Sequence, residues 1–268
     1  MDSELRVWWT LLCGFAALNI VAWAVSARRL RGTEDGTVRL QLLLSAGYVL
    51  GCAYRSALPV FDIQRLCLVD SWASSVIVGR TVATVAELCF AAQWAVLLAG
   101  SSTLAGSRPG RFVAAALVPI IAVAECFSWH AVLTTSNFGH VVEEALWGSA
   151  AAASACTLFA LSRRHAGRAR LLLQAAAVAG ALYTAYMFAI DVPMYWARWM
   201  ADELAGRTYL TLGQGIADAS SRWVVSHRWD HWRSEFVWMS LYFSCAVWVS
   251  IGLAHVRRPS RTLPAAEA

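Results

Sequence analysis

Apolar residues in this chain fall into blocks of about twenty residues that are separated by short polar stretches. A helix that rises about 1.5 Å per residue needs about twenty residues to cross a hydrocarbon core of roughly 30 Å. Seven such blocks are present: Val7 to Ala27, Leu40 to Leu58, Ser74 to Ala99, Phe112 to Trp129, Val141 to Leu161, Leu171 to Ile190 and Phe236 to His255. The pattern therefore predicts an all-α polytopic membrane protein, built as a seven-transmembrane-helix bundle.

The spans use up most of the 268 residues, so we expect a single transmembrane domain over residues 1–258. Residues 259–268 are predicted to form a short disordered cytoplasmic tail. The longest segment between spans, residues 191–235, is predicted to be an outer loop with surface helices, one of them from Pro193 to Gly206. Composition agrees with a lipid environment, because 15% of the residues are charged, against about 25% in soluble domains.

Arginines occur mainly in every second connection, which predicts the orientation in the membrane. They follow the first, third, fifth and seventh spans: Arg28, Arg29, Arg31 and Arg39; Arg108 and Arg111; Arg163, Arg164, Arg168 and Arg170; Arg257, Arg258 and Arg261. The positive-inside rule then places the amino terminus outside and the carboxyl terminus in the cytoplasm of a multi-pass cell-membrane protein. The net charge of +5 is thereby assigned to topology and not to nucleic-acid binding. The acidic leader MDSELR has no basic n-region, so the first block is interpreted as a retained span.

The chain contains no lysine, which excludes covalent cofactors held as a Schiff base. Neither a retinal linkage nor a pyridoxal phosphate linkage can form. The seven cysteines are spread through the spans as small apolar residues. Cys67 and Cys126 are predicted at the outer side, where an oxidising compartment would allow them to pair.

The third span carries ionisable residues where charge is costly, by at least about 2.5 kcal/mol per group. Arg80, Thr84 and Glu87 stand at i, i+4 and i+7, so a helix places them on one face. Arg55, at the outer end of the second span, is a predicted further partner of Glu87. Two interpretations stay open, an ion pair that only stabilises the bundle and a ligand site.

Histidines and carboxylates collect at the outer ends of the helices, in HVVEEALW and in HRWDHWRSE. Helical spacing would align His227, His231 and Glu235, and an HxxxH pair presents two imidazoles to one metal ion. The predicted ligands of zinc or iron are His140, Glu143, His227, His231 and Glu125. Glu144 or Asp230 would activate the metal-bound water. These residues predict a metal-dependent hydrolase or lipid-modifying enzyme that opens to the outer leaflet.

The histidine pair is similar to one found in membrane hydrolases that include alkaline ceramidases and the progestin and adiponectin receptor family. Those proteins bind zinc through a histidine of the second span and an HxxxH pair in the seventh. Here the second span has no histidine, and His227 and His231 precede the seventh span. Membership in that family is therefore not assigned.

Two other functions are compatible with the same residues. A binding or transport protein would hold a lipid or a small molecule in an outward cavity lined by Trp side chains and by Arg55, Arg80, Glu87, Asp191 and Tyr195. A structural membrane subunit would instead use residues 191–235 to dock a partner. In either case membrane lipids are direct partners, and the fourteen tryptophans are expected to anchor the helices at the lipid interface.

Overall fold

The computed structural model describes residues 1–256, and the protein is all-α, with 80% helix. The predicted tail over 259–268 and the arginines Arg257, Arg258 and Arg261 lie outside the described residues. The long helices are α1 (Ser3–Leu30), α2 (Gly36–Ala57), α3 (Val76–Leu104), α4 (Arg108–Thr134), α5 (Asn137–Ser162) and α6 (Gly167–Tyr186). Shorter helices follow: α7 (Val192–Leu204), α8 (Leu212–Ser221), α9 (Trp229–Trp232), α10 (Phe236–Leu241) and α11 (Val247–Leu253).

Six helical segments within residues 1–256 are long and apolar enough to cross a membrane. They are α1, α3, α4, α5, the continuous helix from Gly167 to Leu204, and the helix from Phe236 to Leu253. The predicted second span forms α2, a helix of 22 residues, which is about 33 Å long. It is not among the six. The multi-pass character is thus supported, whereas a count of seven and the orientation remain predictions.

The helix that begins at Gly167 does not end where the sixth apolar block ends. It continues through a π-helical turn at Met187–Asp191 into α7, so the helical segment is 38 residues long. The prediction of a separate surface helix starting at Pro193 is therefore wrong. Proline cannot donate a backbone hydrogen bond, and the preceding π turn lets the helix pass this position without a break.

The two ends of the bundle differ in structure. One end, here called the loop end, carries the antiparallel strands β1 (Val60–Phe61) and β2 (Leu66–Cys67), with β3 (Val224–Val225) parallel to β2. The amino terminus lies there too, because the backbone N–H of Asp2 donates to the carbonyl of His227 at 2.9 Å. The other end, the arginine end, holds the α3–α4 and α5–α6 connections, which Arg164 joins by donating to the carbonyl of Ala105 at 2.8 Å.

A neutral polar cluster ties α2 to α3 and α11, here called the glutamine network: Gln41, Ser45, Gln93 and Ser250. The Gln93 Nε2 donates to the carbonyls of Gln41 at 3.1 Å and Ser250 at 3.0 Å. The Ser250 hydroxyl donates to the Gln93 Oε1 at 2.6 Å. All four side chains are buried, so these bonds replace the water that the polar groups lose.

The seven cysteines are all free thiols. Cys67 is fully buried beside β1, and its thiol donates to the carbonyl of Val69 at 3.4 Å. Burial raises the pKa of the Cys67 thiol, which lowers its reactivity. Cys126 is exposed on α4. The pairing of Cys67 with Cys126 that an oxidising outer compartment would allow is not present.

Candidate functional site

One arginine gathers three glutamates inside the bundle, and these four residues are here called the Arg80 cluster. The Nη2 of Arg80 donates to the Glu87 Oε2 at 2.6 Å and to the Glu125 Oε2 at 2.5 Å. The same nitrogen lies 3.6 Å from the Glu143 Oε1. The side chains are 4 to 12% exposed, so the cluster is shielded from solvent.

Each helix supplies its part of the cluster through helical spacing. On α3, Arg80 and Glu87 are seven residues apart and face the same side. Glu125 comes from α4 and Glu143 from α5. Helices α4 and α5 approach closely at Gly139, where an added Cβ would lie 2.5 Å from the carbonyl oxygen of Phe127. Three neighbouring helices thus converge on one guanidinium.

Neutral hydrogen-bond donors hold two of the carboxylates in place. The Thr84 hydroxyl donates to the Glu125 Oε2 at 2.6 Å and accepts from the Trp129 Nε1 at 3.1 Å. From the last span, the Tyr242 hydroxyl donates to the Glu87 Oε1 at 3.1 Å. These neutral donors come from α3, α4 and the last span and bring no positive charge to the cluster.

The cluster has more negative than positive charge. Three carboxylates face one guanidinium, which leaves a formal charge of −2 (three negative, one positive) if all are ionised. One oxygen of each glutamate lies within 4.8 Å of the others. The Glu125 Oε1 and the Arg80 Nε are buried and have no hydrogen-bond partner within residues 1–256. Carboxylates this close in a low-dielectric interior need a proton or another cation for balance.

A line of polar and aromatic side chains connects the cluster to the loop end. The His140 Nδ1 is 2.6 Å from the Glu143 Oε2. The His140 ring lies 4.9 Å from the Tyr195 ring, centroid to centroid. The Arg198 guanidinium lies 5.3 Å from the same Tyr195 ring and 3.7 Å from a carboxylate oxygen of Glu235. Arg198 is only 26% exposed.

A cavity of about 630 Å³ opens at the loop end beside this line. Its polar lining includes Asn137, Arg198, Asp202, Arg207, Asp230 and His231. Of the two segments in which histidines and carboxylates are concentrated, HRWDHWRSE lines the cavity through Asp230, His231 and Ser234, whereas HVVEEALW contributes no lining residue and follows Asn137 on α5. Both segments begin at the loop end of the bundle.

Two further residues that the sequence analysis named as site residues, Asp191 and Glu144, lie near the cluster but make no hydrogen bond to it. Asp191 is 9% exposed, and its Oδ1 accepts from the Tyr186 hydroxyl at 3.3 Å. Glu144 follows Glu143 on α5, is partly buried, and makes no side-chain hydrogen bond within residues 1–256. Both carboxylates add to the excess of negative charge in this part of the bundle.

The predicted helical stripe of His227, His231 and Glu235 does not form. His227 lies between β3 and α9, and its Nε2 is 3.0 Å from the carbonyl of Leu68. The His231 Nδ1 is 2.7 Å from the Ser226 hydroxyl. Both histidines are exposed, and each is engaged by a separate local partner. The HxxxH spacing therefore lacks the continuous helix that would align its two rings.

Asp230 and Arg55 have other partners than those anticipated. The Asp230 side chain is 64% exposed and lies 3.7 Å from the Arg228 Nη2. Arg55 does not contact Glu87 but lies at the α2–β1 junction, 3.4 Å from Asp62, and donates to the carbonyl of Val60 at 3.1 Å. An added Cβ at Gly79 of α3 would lie only 2.8 Å from the Arg55 Nη1.

Sequence reasoning missed the parts of the site that depend on long-range packing. Tyr242 bonds Glu87 across 155 positions in the chain, and Trp129 reaches Thr84 across 45. The only local signal was a tyrosine within the last apolar block and a tryptophan one turn after Glu125. Comparisons with protein-family models, with curated proteins and with solved structures find no match to this chain.

Proposed function

We propose that this protein is a multi-pass membrane binding or transport protein that takes up a cation, a proton or a metal ion, at the Arg80 cluster. The observation that carries the proposal is the close approach of Glu87, Glu125 and Glu143, whose oxygens lie within 4.8 Å of one another around a single guanidinium. Removing ionised groups from water costs several kcal/mol each, so a bare excess of charge is disfavoured. An added cation restores the balance.

A purely structural ion pair explains the cluster less well. One carboxylate would neutralise Arg80, yet Glu125 and Glu143 are placed around it in addition to Glu87. Neutral donors from Thr84 and Tyr242 keep two of these carboxylates in position. Such an arrangement costs stability. Ionisable residues that are present inside a membrane in spite of this cost are usually functional.

A metal-dependent hydrolase is the second candidate, and the same carboxylate distances favour it. Glu125, Glu143 and His140 would then supply ligands for zinc or iron. Arg80 would have to withdraw, because its Nη2 lies 2.5 and 2.6 Å from the oxygens that the metal would use. The proton-binding form of the proposal requires no such rearrangement.

The proposed function is tested by thermal unfolding of the purified protein in detergent, across a pH series and with added ZnCl₂ or MnCl₂. A cation that binds only the folded state stabilises it by about 2.7 kcal/mol at a hundred times its dissociation constant. We expect acid or one of the metal ions to raise the Tm of the wild type. The matched control is R80M/E87Q/E125Q/E143Q, in which the whole cluster is neutral.

The proposal fails if neither acid nor either metal ion stabilises the wild type more than this neutral variant. A second control, Glu4→Gln, removes one carboxylate at an exposed position of α1 and should respond like the wild type. Elemental analysis of the untreated protein shows whether the bound cation is a metal ion or a proton. Stoichiometric zinc or iron favours the metal form, and stabilisation by acid without metal favours the proton form.

A further inference from the structure

The cavity at the loop end, here called the loop-end cavity, has on its wall an arginine that makes no hydrogen bond within residues 1–256. Arg198 lies 5.3 Å from the Tyr195 ring and 5.8 Å from the Phe61 ring. Its Nη2 is 3.7 Å from a carboxylate oxygen of Glu235, which is too far for a hydrogen bond. Its Nη1 is buried and has no partner in the described part of the chain. The two rings therefore hold a planar guanidinium whose N–H groups are free to bind an anionic oxygen of a ligand.

A buried acceptor without a donor lies beside this arginine. Asp202, one turn after Arg198 on α7, accepts through its Oδ2 from the Asn137 Nδ2 and the Arg207 Nη1, both at 2.9 Å. This contact fixes the Asn137 amide, because the amide oxygen would be repelled by the carboxylate. Asn137 lines the cavity, is 4% exposed, and has no partner for its Oδ1 within residues 1–256. An unpaired buried acceptor is costly, so a ligand N–H group that reaches this oxygen gains binding energy.

The lining of the loop-end cavity carries both signs of charge. Arg198 and Arg207 are positive, and Asp202 and Asp230 are negative. The Asp230 side chain is 64% exposed, so a ligand can contact it. A simple anion would meet two carboxylates and a simple cation would meet two guanidinium groups, whereas a zwitterion complements both. The volume of about 630 Å³ lies within the range of about 300 to 1,000 Å³ that is typical of small-molecule sites.

We infer that the loop-end cavity binds a phosphoethanolamine group, that is, a phosphate joined through two carbons to a primary ammonium. The phosphate oxygens bind the guanidinium of Arg198, and the ammonium donates to the carboxylate of Asp202 and to the Asn137 Oδ1. Arg198 and Asp202 are four residues apart on α7, which puts about 5 to 6 Å between their Cβ atoms, so that one short zwitterion contacts both. The Arg80 cluster supplies none of these groups, and the site does not depend on the cation proposed there.

The length of the helix that carries Arg198 places the cavity at the level of lipid headgroups. The helix from Gly167 to Leu204 has 38 residues and is therefore about 57 Å long. A bilayer with its headgroups is about 40 to 45 Å thick, so the helix extends past the hydrocarbon core. Arg198 and Asp202 lie in its last two turns. The phosphoethanolamine group of a membrane lipid and the same group in a soluble compound can therefore both reach the cavity.

The site is tested by isothermal titration calorimetry of the full-length protein in detergent with two soluble compounds, phosphoethanolamine and phosphocholine. Both carry the phosphate, but the quaternary ammonium of phosphocholine has no N–H group to donate to Asn137 or Asp202. We expect phosphoethanolamine to bind, and phosphocholine to bind at least about tenfold more weakly, because hydrogen bonds to charged groups contribute at least that factor. The comparison uses the wild type alone and so does not depend on a variant that folds. Equal affinity for the two compounds, or no binding of phosphoethanolamine, would overturn the inference.

Two variants remove one part of the site each. Arg198→Gln should weaken the binding of both compounds by about 10- to 100-fold, because both carry the phosphate. Asn137→Leu should weaken phosphoethanolamine by about tenfold and change phosphocholine little, because only the first compound has N–H groups. The matched control is Arg222→Gln, whose side chain is 57% exposed and pairs with Asp218 away from the cavity lining. Unchanged affinity in both cavity variants, or an equal loss in the control, would contradict the site.

The source of the phosphoethanolamine group is identified by repeating the titration in lipid nanodiscs. One set contains phosphatidylcholine alone, and the other contains phosphatidylcholine with phosphatidylethanolamine. If the natural ligand is the lipid, phosphatidylethanolamine in the disc competes and lowers the affinity for soluble phosphoethanolamine. If the natural ligand is soluble, the affinity is the same in both sets. Absence of phosphoethanolamine binding in the phosphatidylcholine discs as well as in detergent would overturn the inference, and it would leave the cation site at the Arg80 cluster unaffected.

Discussion

Two buried polar clusters join α3 to its neighbours, and they differ in charge. The glutamine network pairs amides, hydroxyls and backbone carbonyls, so it carries no charge at physiological pH. The Arg80 cluster places three carboxylates around one guanidinium. Each cluster has one buried side-chain oxygen that lacks a hydrogen-bond partner within residues 1–256, the Gln41 Oε1 and the Glu125 Oε1. Burial alone therefore does not indicate function. The difference is that only the second cluster needs a mobile cation for its charge to balance.

The largest expected effect comes from removing the positive charge of the Arg80 cluster. Arg80→Met leaves three buried carboxylates without their guanidinium, and we expect a loss of about 3 to 5 kcal/mol in the free energy of unfolding at neutral pH. Acid should reduce this loss, because protonated carboxyls no longer need the cation. Denaturant or thermal unfolding across a pH series measures both values, and a deficit that stays constant with pH would argue against an excess of negative charge.

A smaller loss, without pH dependence, is expected in the glutamine network. Gln93→Leu removes donors to Gln41 and Ser250 and leaves their carbonyls less well paired. Unfolding free energy should fall by about 1 to 3 kcal/mol. The same loss should be found at every pH and with or without added metal ions. If this variant responded to cations differently from the wild type, the glutamine network would also take part in cation binding, and the two clusters would not differ in this respect.

Tyr242→Phe tests how far the last span contributes to the cation site. The variant keeps the ring contacts of Tyr242 with Tyr48 but loses the hydroxyl that donates to Glu87 at 3.1 Å. Hydrogen bonds between membrane helices contribute about 0.6 kcal/mol on average and about 1.7 kcal/mol at most, so cation affinity should change by about tenfold or less. The change is measured from the cation dependence of Tm, with Tyr183→Phe on exposed α6 as the control.

The exposed histidines His227 and His231 provide the next test, because neither contacts the Arg80 cluster. His227→Asn and His231→Asn should shift stability by no more than about 0.5 kcal/mol and leave the cation response intact. The reason is that the side chains contact the Leu68 carbonyl and the Ser226 hydroxyl, not the cluster. Loss of bound zinc or iron in either variant would instead support the metal site that the sequence predicts at these histidines.

The smallest expected effect concerns the cysteines. Burial raises the pKa of the Cys67 thiol, and the side chain is fully buried, so a water-soluble maleimide should leave it unmodified at neutral pH in the folded protein. Cys126 is exposed and should react with a membrane-permeant maleimide. Mass spectrometry of proteolytic fragments, with and without prior reduction, measures both. A fragment that links Cys67 to Cys126 would contradict the structure at the loop end.

Sequence spacing located the site where the chain is helical and misplaced it where the chain is not. Arg80 and Glu87 lie on one face of α3 as their spacing predicts. Glu125 and Glu143, which were predicted as metal ligands among the polar residues at the outer helix ends, lie beside Arg80. The HxxxH spacing failed because His227 belongs to the segment between β3 and α9. Nothing in the local sequence marks a two-residue strand such as β3 or distinguishes the four-residue helix α9 from a long helix.

Local sequence signals also did not predict where the helix of the sixth span ends. Pro193 is an ordinary signal for a helix start, yet the helix runs through it from Gly167 to Leu204. A π turn and packing against α5 override the signal there. As a consequence Tyr195 and Arg198 are carried by a long helix and held near His140, whereas the sequence suggested a separate surface segment.

A potentiometric titration of purified protein in unbuffered detergent solution measures directly whether the Arg80 cluster binds protons. The wild type is compared with R80M/E87Q/E125Q/E143Q, after both are shown to be folded by circular dichroism. We predict that, on the way from neutral to acid pH, the wild type binds protons that the neutral variant does not, and that ZnCl₂ or MnCl₂ releases them if the metal form is correct. Identical titration curves for the two proteins, with no proton release, would contradict the existence of a cation-accepting site at Arg80.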